Sequence, residues 1–185
     1  MIRARTLSSC LAAAGMAALA AAPLAADQAE AGESVTAALK TADGTDAGTV
    51  IFAQAEHGVV VKASLKNLGE GTHGFHIHET GACAPDFDAA GGHFNPRGKE
   101  HGFDTAEGYH AGDLPNIRIG TDGTGDARFL IPKMTLKGPA SDRNPHLLGD
   151  ADGASVMIHA EADDYRSMDS AGARIACGVI IPKGG

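Results

Sequence analysis

The sequence predicts an all-β fold, an eight-stranded antiparallel Greek-key sandwich or barrel with two long functional loops. Short runs rich in Val, Ile and Leu recur at close spacing, 25 glycines are spread among them, and no helical hydrophobic period persists. Trp is absent and aromatic residues make up only 4%, so the 43% hydrophobic content must supply a mainly aliphatic core, enough for a single domain.

Residues 1–26 read as a secretory signal. Arg3 and Arg5 precede an uncharged Ala- and Leu-rich run from Leu11 to Leu24, small residues follow, and cleavage is placed after Ala26. A membrane-spanning helix needs roughly 20 strongly apolar residues, and this run is shorter and mostly Ala. Leu7-Ser8-Ser9-Cys10 resembles a lipid-attachment box, but the apolar run follows Cys10 instead of leading up to it. Residues 27–33 form a short tail, and residues 34–185 are the expected domain.

Four strands are expected first, at Ser34–Lys40, Thr49–Gln54, Val59–Leu65 and Gly74–Glu79, separated by turns such as Ala42-Asp43-Gly44 and Gly69-Glu70-Gly71. After a long loop come Asn116–Gly120 and Ala127–Ile131, around Asp122-Gly123-Thr124-Gly125. Ser155–His159 and Arg174–Ile181 complete the eight. The loops at about 80–112 and 160–173 exceed the roughly 12–15 residues usual in a compact domain, which marks them as functional or disordered.

Removing residues 1–26 takes away two arginines and no acid, moving the formal net charge from −8 to −10. Such a balance argues against a nucleic-acid partner and is otherwise a solubility feature. It also removes Cys10, leaving Cys83 and Cys177 as an even pair in an exported chain. A disulfide is expected, closing a long loop, with two metal-binding thiols as the alternative.

The chemistry concentrates in histidines. In Gly74-Phe75-His76-Ile77-His78-Glu79, strand alternation sends Phe75 and Ile77 into the core and both imidazoles to the opposite face, beneath the loops. Such a pair is a two-point metal clamp, or else ordinary surface or hydrogen-bonding histidine. His93, His101, His110 and Asp113 follow at separations of 8, 9 and 3 residues among glycines. Three imidazoles and a carboxylate suit a closed tetrahedral zinc ion that would staple a loop lacking secondary structure of its own. The competing reading is a His-rich solvent loop. His159 lies in a later strand.

These residues resemble the copper/zinc superoxide dismutase family. The likeness rests on Gly74-Phe75-His76-Ile77-His78-Glu79, Gly92-His93-Phe94-Asn95-Pro96, His101-Gly102, His110-Ala111-Gly112-Asp113-Leu114 and Ala176-Cys177-Gly178-Val179-Ile180, in family order across about Val35 to Pro182. It implies one copper ion held by His76, His78, His93 and His159, and one zinc ion held by His93, His101, His110 and Asp113. His93 would then be a bridging imidazolate, reasonable only between two cations, and the assignment of each metal to its set comes from the likeness alone.

The resemblance also implies an anion-orienting Arg174, a Cys83–Cys177 disulfide within the subunit, and Asp163 as the carboxylate orienting His76 and His101. His93 and Arg174 are the residues it marks as catalytic. His73 matches a structural histidine of the family, while His57 and His146 are expected in surface roles. The activity implied is conversion of superoxide to dioxygen and hydrogen peroxide by alternating Cu(II) and Cu(I).

The short intervals from His78 to Cys83 and from His159 to Arg174 resemble bacterial secreted members, which places the chain in the periplasm. They leave monomer and homodimer both open, and no stable membrane association is expected. Residues 160–173 contain no Lys, so the family's steering charges do not carry over. The alternative from another class is a secreted copper- and zinc-binding or copper-delivery module without efficient turnover.

Overall fold

A computed structural model describes residues 32–184. The signal expected at 1–26 and most of the tail at 27–33 lie outside the described residues. Among the described residues there are eleven strands and one short 3-10 helix, Phe87–Ala90, and no helix is long and apolar enough to cross a membrane.

The strands are β1 Ser34–Thr41, β2 Asp46–Ala55, β3 Gly58–Leu65, β4 Gly71–His73, β5 Phe75–His78, β6 Ile117–Ile119, β7 Gly125–Pro132, β8 Met134–Thr135, β9 His146–Leu147, β10 Ala154–His159 and β11 Arg174–Ile181. The eight expected strands are β1, β2, β3, β5, β6, β7, β10 and β11. The additional three are two or three residues long, too short to produce a hydrophobic period. β8 and β9 form a small parallel pair.

Seven strands make one antiparallel sheet in the order β5-β10-β11-β1-β2-β3-β7. The sheet curls, and its two ends approach through a second ladder: β4 continues into β5, pairs with β6, and β6 packs beside β7. The pairings β3 with β7 and β11 with β1 join strands distant in sequence, which makes the connection a Greek key.

Alternation explains the core. Ala37 and Leu39 of β1, Val50 and Phe52 of β2, and Val59, Val61 and Ala63 of β3 point inward, meeting Phe75, Ile77, Ile117, Ile119, Val156 and Ile158. Within the seven-stranded sheet, β5 and β10 differ from the other strands in being buried at every position. One side of each faces this core, and the other lies beneath loop residues. A second small cluster of Ala90, Met157 and Cys177, with Cys83 and Phe87 against it, seats the first loop on that outer side.

Gly74 separates β4 from β5 at a crowded point. A Cβ there would lie 2.7 Å from the Ala171 Cβ and 3.4 Å from the His159 Cβ. Its absence lets β5 and the second long loop close over the same surface.

Candidate metal centre

Backbone bonds to β5 assemble the centre. Ile77 N donates to Gly112 O at 2.9 Å, Phe94 N donates to Ile77 O at 2.8 Å, and Gly112 N donates to Phe94 O at 2.9 Å. Two distant pieces of the first loop are thus clasped to the middle of one strand, opposing His78 to His93 and His76 to Asp113. The Cys83–Cys177 disulfide and the 3-10 helix, capped by Asp86, fix the start of that loop against β11.

The result is two fused groups of buried side chains. His76, His78, His93 and His159 form one, and His93, His101, His110 and Asp113 form the other, each with its ligand atoms within 4.8 Å of one another. His93 belongs to both, and its ring centroid lies 4.1 Å from that of His76. All seven residues are at most 7% exposed.

Hydrogen bonds set the tautomers in the first group. His76 Nε2 donates to Asp163 Oδ2 at 2.7 Å, His78 Nδ1 to Gly91 O at 3.0 Å, and His159 Nδ1 to Gly172 O at 3.1 Å. With those nitrogens protonated, His76 Nδ1, His78 Nε2 and His159 Nε2 carry lone pairs. All three are buried and without a hydrogen-bond partner. Unpaired buried acceptors are costly, and three of them on converging rings fit a cation that accepts lone pairs.

Burial, reinforced by neighbouring His93, lowers the His78 pKa to about 2. Burial likewise brings His159 down to about 4 and also lowers His93. The neutral form that ligates metal is therefore the native form.

In the second group, Nδ1 of His93, His101 and His110 converge on Asp113 Oδ1 at 2.8, 3.1 and 3.3 Å. Asp113 Oδ2 accepts from Gly102 N at 2.8 Å and His110 N at 3.1 Å. Burial alone would raise this carboxyl, but bonds from His110, His93 and Gly102 hold it well below the carboxylate range. A permanent carboxylate facing three imidazole nitrogens fits a small divalent cation with four ligands. Because His93 Nδ1 is engaged here, Nε2 is its remaining donor for the first group.

Asp163 joins the two groups from behind. Its Oδ2 accepts from His76, while Oδ1 accepts from His101 Nε2 at 3.1 Å, Tyr165 N at 2.7 Å and Ser170 Oγ at 3.1 Å. Carboxylates that grip the far nitrogen of a ligating imidazole fix its orientation. Burial again opposes ionisation, but bonds from His76 and Tyr165 keep this carboxyl depressed.

Arg174 stands beside the first group. Its guanidinium donates to Phe87 O and, at 2.7 Å, to Gly91 O, the carbonyl that also accepts from His78. His73 is bonded through Nδ1 to His159 O at 2.7 Å and through Nε2 to Gly69 O at 3.0 Å, so it supports the site without facing it. His57 is exposed, and His146 lies half-buried in β9, where a surface loop was expected. The carbonyls of Gly91 and Gly172, together with Asn116, Tyr165 and Ser170, were not legible as site residues. Carbonyl acceptors leave no signature in side-chain identity, and the other three are ordinary loop residues.

A Greek-key β-barrel carrying on its outer face two histidine groups fused through one shared imidazole, each able to hold a metal ion, defines the class of protein. The family model for copper/zinc superoxide dismutase (SODC) matches residues 46–180. A superoxide dismutase [Cu-Zn] of Caulobacter vibrioides is 45% identical over 151 residues, covering 80% of this chain and 85% of that protein. The solved structure of a SOD-like protein from Bacillus subtilis superposes with a TM-score of 0.71 at 38% identity, covering 79% of this chain and 97% of that one. The Cu/Zn superoxide dismutase from Brucella abortus superposes with a TM-score of 0.62 at 31% identity, covering 80% and 99%. The chain belongs to the copper/zinc superoxide dismutase family.

Proposed function

We propose that this protein is a superoxide dismutase of the periplasm, exported by the segment at residues 1–26 and acting through the domain at 34–185. One observation carries the reading: three buried imidazole nitrogens without partners face a fourth ring that a second complete ligand set also uses. In this reading His76, His78, His93 and His159 hold copper, and His93, His101, His110 and Asp113 hold zinc. Bound copper supplies one-electron chemistry by alternating between Cu(II) and Cu(I), while zinc supplies a fixed charge with no redox role.

The chain's own residues supply the remaining chemistry. Arg174, half-buried and pinned by two carbonyls, is a fixed cation that attracts and orients a small anion in a protein of negative net charge. Superoxide is consumed in pairs: one molecule loses an electron to become dioxygen, and another gains one and takes two protons to become hydrogen peroxide. His93 holds one of those protons at Nε2 and hands it on, while Nδ1 stays anchored at the Asp113 end. Asp163 keeps His76 and His101 from rotating as charge changes beside them. The disulfide fits an oxidising compartment.

A second reading, a metal-binding or copper-delivery module, is favoured by one observation. A superoxide dismutase-like protein of Bacillus subtilis is 45% identical over 130 residues. Loading purified protein with copper and zinc and timing superoxide loss separates the two. Dismutation expects a rate far above that of buffer, with loss of most of it in Arg174→Gln. Stoichiometric uptake of both metals without acceleration would overturn it in favour of the binding module.

A further inference from the structure

We infer that Tyr165 is a positioning residue that latches the two long loops together and, through Asp163, aligns the histidines of both metal groups. The inference rests on those groups holding metal, though not on dismutation.

Four contacts radiate from this one residue. Its backbone N–H donates to Asp163 Oδ1 at 2.7 Å, the oxygen that also accepts from His101. Its carbonyl accepts from Asp104 N at 3.2 Å in the first loop. Its ring packs on Phe103, with centroids 4.9 Å apart and planes tilted by 32°. Its hydroxyl accepts from Asn116 N at 2.7 Å, just before β6.

Tyr165 reaches all four only because its φ is +60°, a left-handed conformation that a non-glycine residue adopts at a cost. The hydroxyl anchor and the ring packing hold it there. Asn116 completes the cradle: its side chain donates to Asp163 O at 2.9 Å and accepts from Asp163 N at 3.0 Å. Asp163 is therefore gripped by main chain and side chain together, and its two oxygens reach His76 in one group and His101 in the other. Without the hydroxyl, Asn116 N loses its acceptor, Tyr165 is free to leave the left-handed region, and its N–H turns away from Asp163. Both rings then lose part of their orientation.

The test combines zinc competition against a chromophoric chelator with the d–d absorption of Co(II) placed in the same group, using wild type, Tyr165→Phe, Asp163→Asn and the double variant. Tyr165→Phe keeps the ring packing. It is expected to weaken zinc binding by about 10-fold, the lower end for residues behind a metal ligand, and to shift the Co(II) bands. In the Asp163→Asn background the same substitution should add less than about 2-fold, because the route through the carboxylate is already cut. Wild-type affinity and bands in Tyr165→Phe would overturn the positioning role alone, as would an undiminished loss in the double variant. A wild type that takes up neither zinc nor Co(II) would overturn the metal reading and this role with it.

Discussion

Reducing the Cys83–Cys177 bond in the metal-free protein should cost about 4.7 kcal/mol of folding stability. The cysteines are 94 residues apart, and for a loop of that size the chain-entropy relation gives about 16 cal/mol/K of denatured-state entropy, or about 4.7 kcal/mol at 25 °C. The native loop has other anchors: Arg174 donates to Phe87 O and Gly91 O, and Ala90, Met157 and Cys177 pack together. Most of the loss should therefore arise from the freed denatured chain and not from a displaced native loop. Against a typical stability of about 5–15 kcal/mol, this is about 30% of the total or more. Urea unfolding followed by far-ultraviolet circular dichroism, with chelator present and with or without TCEP, measures it. The reduced protein should show a lower midpoint and a steeper denaturant dependence, because an uncrosslinked chain exposes more surface. A stability change below about 1 kcal/mol with an unchanged slope would refute the reasoning.

Gly102→Ala should destabilise the fold by about 2–5 kcal/mol, since φ is +92° and a Cβ would collide with the Tyr165 carbonyl. Thermal unfolding within a degree of wild type would contradict that packing. His93→Ala should lower the superoxide-consuming rate by at least about 100-fold, the scale of a lost proton-transfer group. Full turnover would contradict its proposed role. The metal-free protein should lose stability as pH falls from about 6.5, the unfolded histidine value, through about 4 for His159 and on towards about 2 for His78. Burial keeps both neutral when folded, so unfolding takes up protons; where both contribute, the slope approaches about 2.7 kcal/mol per pH unit. Chemical denaturation at pH 7 and pH 5 checks this, and equal stability at the two would remove the burial argument.

The strand pattern was legible because alternation is local: Phe75 and Ile77 against His76 and His78 reveal two faces within four residues. β4, β8 and β9 escaped because two- and three-residue strands have no period and exist only through their partners. The residues of the two candidate metal groups were legible as residue types, and family likeness grouped them. The hydrogen bonds that select which nitrogen of each ring stays bare were not, since Gly91 O and Gly172 O are main-chain atoms whose direction depends on folded loops.

By itself the sequence determined the all-β class, the inward and outward faces of the strand that carries His76 and His78, the even pair of cysteines, and the histidines and Asp113 as candidate ligands. Tertiary structure alone decided that the first loop would clasp β5 at Ile77, that β10 would be covered on both sides as β5 is, and that Tyr165 would meet Asn116 across the loops. The reason is physical. Side-chain alternation is set by neighbouring residues, whereas the convergence of seven buried groups from five separate segments depends on backbone bonds between residues far apart in the chain.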